Sequence, residues 1–540
     1  MKAIFYIAVV MSSATLCAQV ETAFTNFRIF PSGVTQTEPV LAIHSANPLI
    51  MFASAVTINT NNGFRSEGVY VSTNGGLSWH GSDTCAGAFI GNHGGDPGVA
   101  VHPDGTFIIT HIGSVFPGVY GHYSTDRGTT WSNAFTITAN QPEDKGTSTI
   151  DNDPRSPFYG RCYAVWVDYI KPYSVLLSYS ADTGRGWTTP SPVFTPSTVF
   201  CSGGNVKTGA DGNVYVCWAG LENSYPYLED SVGFAVSTDG GVSYTVSQNI
   251  FDMNGIGLAL PTKNNIRVNS LPQLDVDRSG CPRNGWIYVA TTEKHLLPAG
   301  NDPDIVLHRS TDGGKSWSGG IRVNQDAPNN GKIQYFPGIV VDSAGGINIL
   351  YYDDRNTSSD SAEIMLARSL DGGSTWTERV ISDHRFQPKS ILGGPSTYQG
   401  DRISLKSAGG RLFALWMDDF SGLYQVWSAI IDLRTVDVRP NAEGIPAPFE
   451  LCQNYPNPFN PTTNFGFRIA NFEFVSLKVY DVLGREIATL VNEVKQPGEY
   501  TVRWNAERIA SGVYLYRLEA IDNAQPEKSF VLVRSMVLLK

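Results

Sequence analysis

Carboxylates recur at matching places along this chain. Glu38, Asp96, Asp168, Glu293, Asp353, Asp354, Asp401, Asp418 and Asp419 stand where a short apolar stretch begins or where the next one ends, with Arg355, Tyr398 and Arg402 among them. Two carboxyl groups about 5–9 Å apart can cleave a glycosidic bond, one as acid, the other as nucleophile or base. The same oxygens suit a polyhydroxylated ligand or a cation. No cofactor is expected, although a structural or ligand-bridging Ca2+ would fit such an oxygen set. The plainer use of an Asp at a loop start is to cap a turn through its own backbone amides. Neighbouring strand residues point to opposite faces, so one of Asp353/Asp354 and one of Asp418/Asp419 is expected to look inward. Catalytic residues are otherwise unassigned, since no Gly-x-Ser-x-Gly, His-Glu-x-x-His, phosphate-loop or dinucleotide pattern occurs. The histidines are scattered. His93, His111 and His308 read as structural or exposed residues rather than ligands, and no metal site is expected.

The elements that must position these groups are β-hairpins. In "DPGVAVHPDGTFIIT" and "FPGIVVDSAGGINILYY" an apolar strand runs into an Asp-Gly or Gly-Gly turn and returns as a second apolar strand. Seven such hairpins occur. Six are followed by a third strand, a Ser-x-Asp-x-Gly-x-x-Trp turn and a fourth strand. The turns hold Ser72 and Trp79; Ser124, Asp126 and Trp131; Ser180, Asp182 and Trp187; Ser237, Asp239 and Tyr244; Ser310, Asp312 and Trp317; Ser369, Asp371 and Trp376. Asn74 replaces Asp in the first copy and Tyr244 replaces Trp in the fourth. A step of about 55 to 60 residues indicates stacked supersecondary units. Four antiparallel strands per unit indicate an all-β propeller, with seven blades favoured and six the alternative. The seventh unit lacks its turn and outer strand, and the orphan stretch "NFRIFP" is expected to supply that strand and close the ring.

The turns resemble the Asp box (BNR repeat) of sialidases and related propeller proteins. The resemblance covers residues 36–433 as fold. It implies a working face at the axial mouth and braces on the opposite face, because third-to-fourth-strand turns lie away from the starts of the inner strands. Sialidase chemistry would need an arginine opening the first inner strand and an acid/base Asp after it. Arg28 lies ahead of the first hairpin, and no Asp occurs between it and Asp83. True sialidase activity is therefore not expected. A glycan- or surface-protein-binding propeller is the leading expectation, and a glycoside hydrolase or lyase using rim carboxylates is the alternative.

Of the residues, 41% are hydrophobic, so a large core can form, and the formal net charge of −11 excludes a polyphosphate partner. Lys2 followed by a short apolar run reads as an export signal over residues 1–18, with the propeller over 19–435. Cys201 and Cys217 flank one hairpin, which leaves open a disulfide or two separate buried thiols. A Pro-rich linker spans 436–448. Residues 449–540 then show short alternating strands of a small β-sandwich. Their "NYPNPFNPTT", "VYDVLGREI" and "ASGVYLYRL" closely resemble the C-terminal type A sorting domain of the type IX secretion system. The resemblance implies partnership with that machinery and a secreted or outer-surface location. A monomer without a membrane-spanning segment after signal removal is expected.

Overall fold

The computed structural model describes residues 24–85, 93–139, 141–197, 200–257, 259–392, 397–436, 449–469, 473–495, 498–522 and 530–540. The export signal and nearly all of the linker lie outside them. Seven four-stranded antiparallel sheets occupy residues 26–432. Their inner strands are Thr35–Ile43, His93–Val101, Glu143–Ile150, Phe200–Thr208, Gln273–Val276, Gln334–Val341 and Ser404–Ala408. Each inner strand packs beside the next, and the seventh packs beside the first. The sheets are thus blades of a closed ring, numbered 1 to 7 below. Asn26–Arg28 forms the outer strand of blade 7, with Arg28 opposite Trp427. This strand, the first among the described residues, therefore covers an edge that the last blade would otherwise expose.

The Ser-x-Asp turns show why the motif repeats. Ser310 Oγ donates to Asp312 Oδ1 at 2.8 Å and accepts from the Gly314 amide at 2.8 Å. Asp312 Oδ1 also accepts from the Lys315 and Ser316 amides. Gly314 has φ +90°, and a Cβ there would sit 2.2 Å from the Phe234 ring on blade 4. No other residue fits that turn. The Trp317 indole donates to Gly314 O and packs edge-on against Phe234. Trp131 packs at a tilt against Phe52 of blade 1, and Trp187 stacks on Phe135 of blade 2. In the variant copies Ser72 donates to Asn74 Oδ1, and the Tyr244 hydroxyl replaces the indole donor to Gly241 O. The turns brace each of the six blades that carry one against its predecessor through apolar contact.

Cys201 and Cys217 are separate thiols. A slip in register between Ser202 and Asn205 sets Cys201 opposite Gly220 and Cys217 opposite Asn205. Cys201 packs toward blade 3 and Cys217 toward blade 5. All six described cysteines are buried.

The C-terminal residues form a three-stranded sheet (Phe449–Leu451, Thr462–Ile469, Gly498–Asn505) and a four-stranded sheet (Glu473–Asp481, Glu486–Lys495, Gly512–Asp522, Phe530–Leu538). Phe465, Trp504, Tyr516 and Met536 pack between them. Cys452, at the start of this unit, brings its sulfur to 2.7 Å from that of Cys281 on blade 5. Among the described residues no helix is long and apolar enough to cross a membrane.

Candidate functional site

Five inner strands carry a bulge near their start, between Thr37 and Val40, Gly95 and Gly98, Asp144 and Thr147, Ser202 and Asn205, and Tyr335 and Gly338. At each bulge one residue takes a left-handed backbone: Glu38, Asp96, Lys145, Gly203 and Phe336, with φ between 52° and 69°. Only one of the five is glycine, so four side chains hold a conformation that L-residues rarely adopt. A bulge re-aims the side chain it carries. Here Glu38, Asp96 and Lys145 converge at one end of an axial cavity lined by residues of all seven inner strands.

Tyr398 and Arg402 complete the cluster from the segment entering blade 7. The Tyr398 hydroxyl donates to Glu38 Oε1 at 2.5 Å. Arg402 donates to Asp96 Oδ1 at 3.2 Å and to Gly146 O at 2.9 Å, and it lies 3.6 Å from Glu38 Oε2. Asp96 Oδ2 accepts the Lys145 amide at 2.7 Å. The Lys145 ammonium pairs with Asp401, which also accepts from Arg267 at 2.6 Å. The Arg267 guanidinium stands 5.0 Å over the Tyr398 ring.

The carboxyl groups differ in charge. Burial, then the negative charges of Asp96 and Asp401, pushes the Glu38 carboxyl up to about 8. Burial also opposes ionisation of Asp401, but Lys145 and Arg267 outweigh it and hold that carboxyl down to about 2. Asp96 is likewise held below its ordinary range by Lys145 and Arg402 against burial. Burial raises Asp144 to about 7. At neutral pH a protonated Glu38 therefore faces two carboxylates. Environments that drive carboxyl pKa values apart are how sites separate acid from base.

The fold brings together Glu38, Asp96, Tyr398, Asp401 and Arg402 from the expected rim and leaves the other candidates elsewhere. Asp168 caps a turn through the Ile170 amide. Asp353 holds Arg355, which also pairs with Glu378. Asp354 forms a buried ion pair with Lys263 and accepts the Ile333 amide. Asp418 accepts from the Trp416 indole and contacts His384. Asp419 pairs with Lys389, and Glu293 accepts the Thr291 hydroxyl. The expectation that one of each Asp pair looks into the channel is corrected: none of the four lines the axial cavity; Asp353 and Asp418 cap their own turns through the Arg355 and Phe420 amides, and Asp354 and Asp419 pair with lysines. Arg28 stays outside the cavity, over Trp427.

Lys145 and Arg267 escaped the sequence reading. Lys145 occupies in blade 3 the bulge position of Glu38 and Asp96, a signal that was present, whereas Arg267 comes from a loop hairpin (Ala259–Leu260, Ile266–Arg267) with no periodic mark. Around the same face, the loops joining second to third strands expose Phe116, Tyr169, Tyr225, Tyr227 and Phe420.

His93, His111 and His122, scattered in sequence, lie together on blade 2, with one ligand atom from each within 4.8 Å of the others. His308 stays apart, stacked on Phe251.

Several solved structures resemble the chain at low identity. A polysaccharide lyase of family PL25, an ulvan lyase bound to -[GlcA(1-4)Rha3S]-, has 12% identity and a TM-score of 0.46 over 76% of this chain and 96% of that one. The alpha-L-arabinanase of Penicillium chrysogenum has 12% identity and a TM-score of 0.43 over 77% and 99%. A Hadza microbial sialidase has 14% identity and a TM-score of 0.38 over 63% and 66%. No curated protein matches the sequence. Residues 453–532 match the family described as "Secretion system C-terminal sorting domain", so the propeller travels with a type IX sorting domain that directs export across the outer membrane to a secreted or cell-surface location.

Proposed function

We propose that the exported propeller binds an anionic glycan at its axial mouth. The carrying observation is the layering of charge there. The Arg267 side chain is 37% exposed, Lys145 16% and Arg402 12%, while Glu38, Asp96 and Asp401 beneath them are 3–6% exposed. A ligand arriving from solvent meets the cations first. A uronate carboxylate or a sulfate would accept charge-assisted hydrogen bonds from them. The exposed aromatic rings on the surrounding loops offer flat faces to sugar rings. The Asp-box resemblance of the six bracing turns fits a scaffold of this kind.

One observation favours turnover as a second reading. A protonated Glu38, bonded to Tyr398 and flanked by ionised Asp96 and Asp401, supplies an acid and an anionic carboxylate in one pocket. In that reading the glycan is a substrate rather than a ligand.

The test is a glycan array spanning neutral, uronate-bearing, sialylated and sulfated oligosaccharides, with released reducing ends measured in parallel. Binding to acidic glycans that weakens with salt and falls about tenfold or more in Arg267→Ala supports the proposal. Equal binding to neutral glycans, or an Arg267→Ala protein that binds unchanged, overturns it. Released sugar that vanishes in Glu38→Gln selects the hydrolytic reading.

A further inference from the structure

His93 opens the inner strand of blade 2, His111 lies near the end of its second strand (Phe107–Gly113), and His122 lies in its third (Val119–Ser124). All three are buried. The His111 Nδ1 lies 2.9 Å from Ile112 O, and the His122 Nδ1 lies 3.3 Å from Ser132 O. A backbone carbonyl only accepts, so each Nδ1 carries the hydrogen. Both Nε2 atoms then present lone pairs, and these two atoms stand 3.1 Å apart. Neither can donate to the other. His93 stacks on His111 with ring centroids 4.0 Å apart, and neither of its ring nitrogens has a partner.

Two facing lone pairs in a buried setting repel unless something electron-poor lies between them. A proton could bridge only two of the three rings, whereas a divalent ion can accept a lone pair from each, and one nitrogen of every ring lies within 4.8 Å of the others. Tetrahedral ligands at 2.0–2.1 Å from zinc stand about 3.3 Å from one another, close to the 3.1 Å between the His111 and His122 Nε2 atoms. Carbonyl acceptors on the far nitrogens are the outer partners that fix ligand tautomers in metal sites.

We infer that His93, His111 and His122 form a binding site for a transition-metal ion of the zinc class on blade 2. The three ligands come from three adjacent strands, so the ion pins the inner strand to its neighbours. It does so three residues ahead of Asp96, at the start of the segment that carries that carboxylate into the axial mouth. The site is independent of any glycan at that mouth.

The test uses full-length, untagged protein stripped with chelator and titrated with Zn2+ or Co2+ alone. One equivalent per chain is expected by elemental analysis, with a visible Co2+ absorption band of tetrahedral intensity and a rise in melting temperature. His93→Gln and His111→Gln should each weaken uptake by at least about tenfold. A folded wild-type protein that takes up neither ion, or uptake unchanged in both variants, overturns the site. The wild-type titration decides the matter without any variant, should either substitution impair folding. His93→Gln breaks no hydrogen bond, so its circular dichroism serves as the folding control.

Discussion

The Tyr398 hydroxyl bonds the Glu38 carboxyl at 2.5 Å across 360 residues of sequence, tying the first inner strand to the segment that enters the last blade. Tyr398→Phe leaves Glu38 Oε1 buried without its donor and should cost about 1–3 kcal/mol in urea unfolding. Glu38→Gln keeps the shape and the neutral state and should cost less. A double-mutant cycle giving zero coupling would remove the link.

Glu38 also sets a pH dependence. Its folded carboxyl sits near 8 against an ordinary 4.5, so the folded state binds the extra proton. Its contribution is complete below about 4.5 and declines as pH rises toward 8. Asp401 works in the opposite sense, losing its contribution as pH falls through 3.8 toward 2. Melting temperatures from pH 5 to 9 should fall more steeply for the wild type than for Glu38→Gln. Parallel curves would contradict the assignment.

Asp401 neutralises Lys145 and Arg267 together. Asp401→Asn should destabilise toward the low end of the about 3–5 kcal/mol typical of a broken buried pair, because the Arg267 side chain keeps 37% exposure. Denaturant unfolding of the variant checks this.

The bracing turns should be separable from binding. Trp131 is 8% exposed and packs on Phe52 of blade 1. Trp131→Ala should cost about 3–5 kcal/mol while glycan affinity of the folded protein stays unchanged at the opposite face. Loss of affinity in a folded variant would place the turns in the site.

Cys281 and Cys452 bring buried sulfurs to 2.7 Å, one on the propeller and one on the sorting unit. Mass spectrometry of non-reduced digests should find the Cys281–Cys452 cross-linked peptide. A Cys201–Cys217 peptide is not expected, because their register sets them on opposite faces.

Much of the architecture was legible in sequence because it is local. Alternating apolar stretches fix strands, Gly-rich turns fix hairpins, and a side chain such as Ser310 bonds only residues within four positions of itself. The outer role of "NFRIFP" followed from counting strands that needed a partner. The site was legible only in part. Glu38, Asp96, Asp401 and Arg402 stood at the right ends of the right strands, but so did Asp168, Asp353 and Asp418, and strand ends do not reveal which carboxylate finds a local partner first. Lys145 and Arg267 meet Asp401 across 256 and 134 residues, and His93, His111 and His122 meet only once three strands lie side by side. Sequence alone determined the repeating scaffold and its export tail, since hydrogen bonding and burial over short spans decide those. Ring closure decided the rest: which charges face each other depends on bulges that turn side chains toward an axis, and no single blade contains that axis.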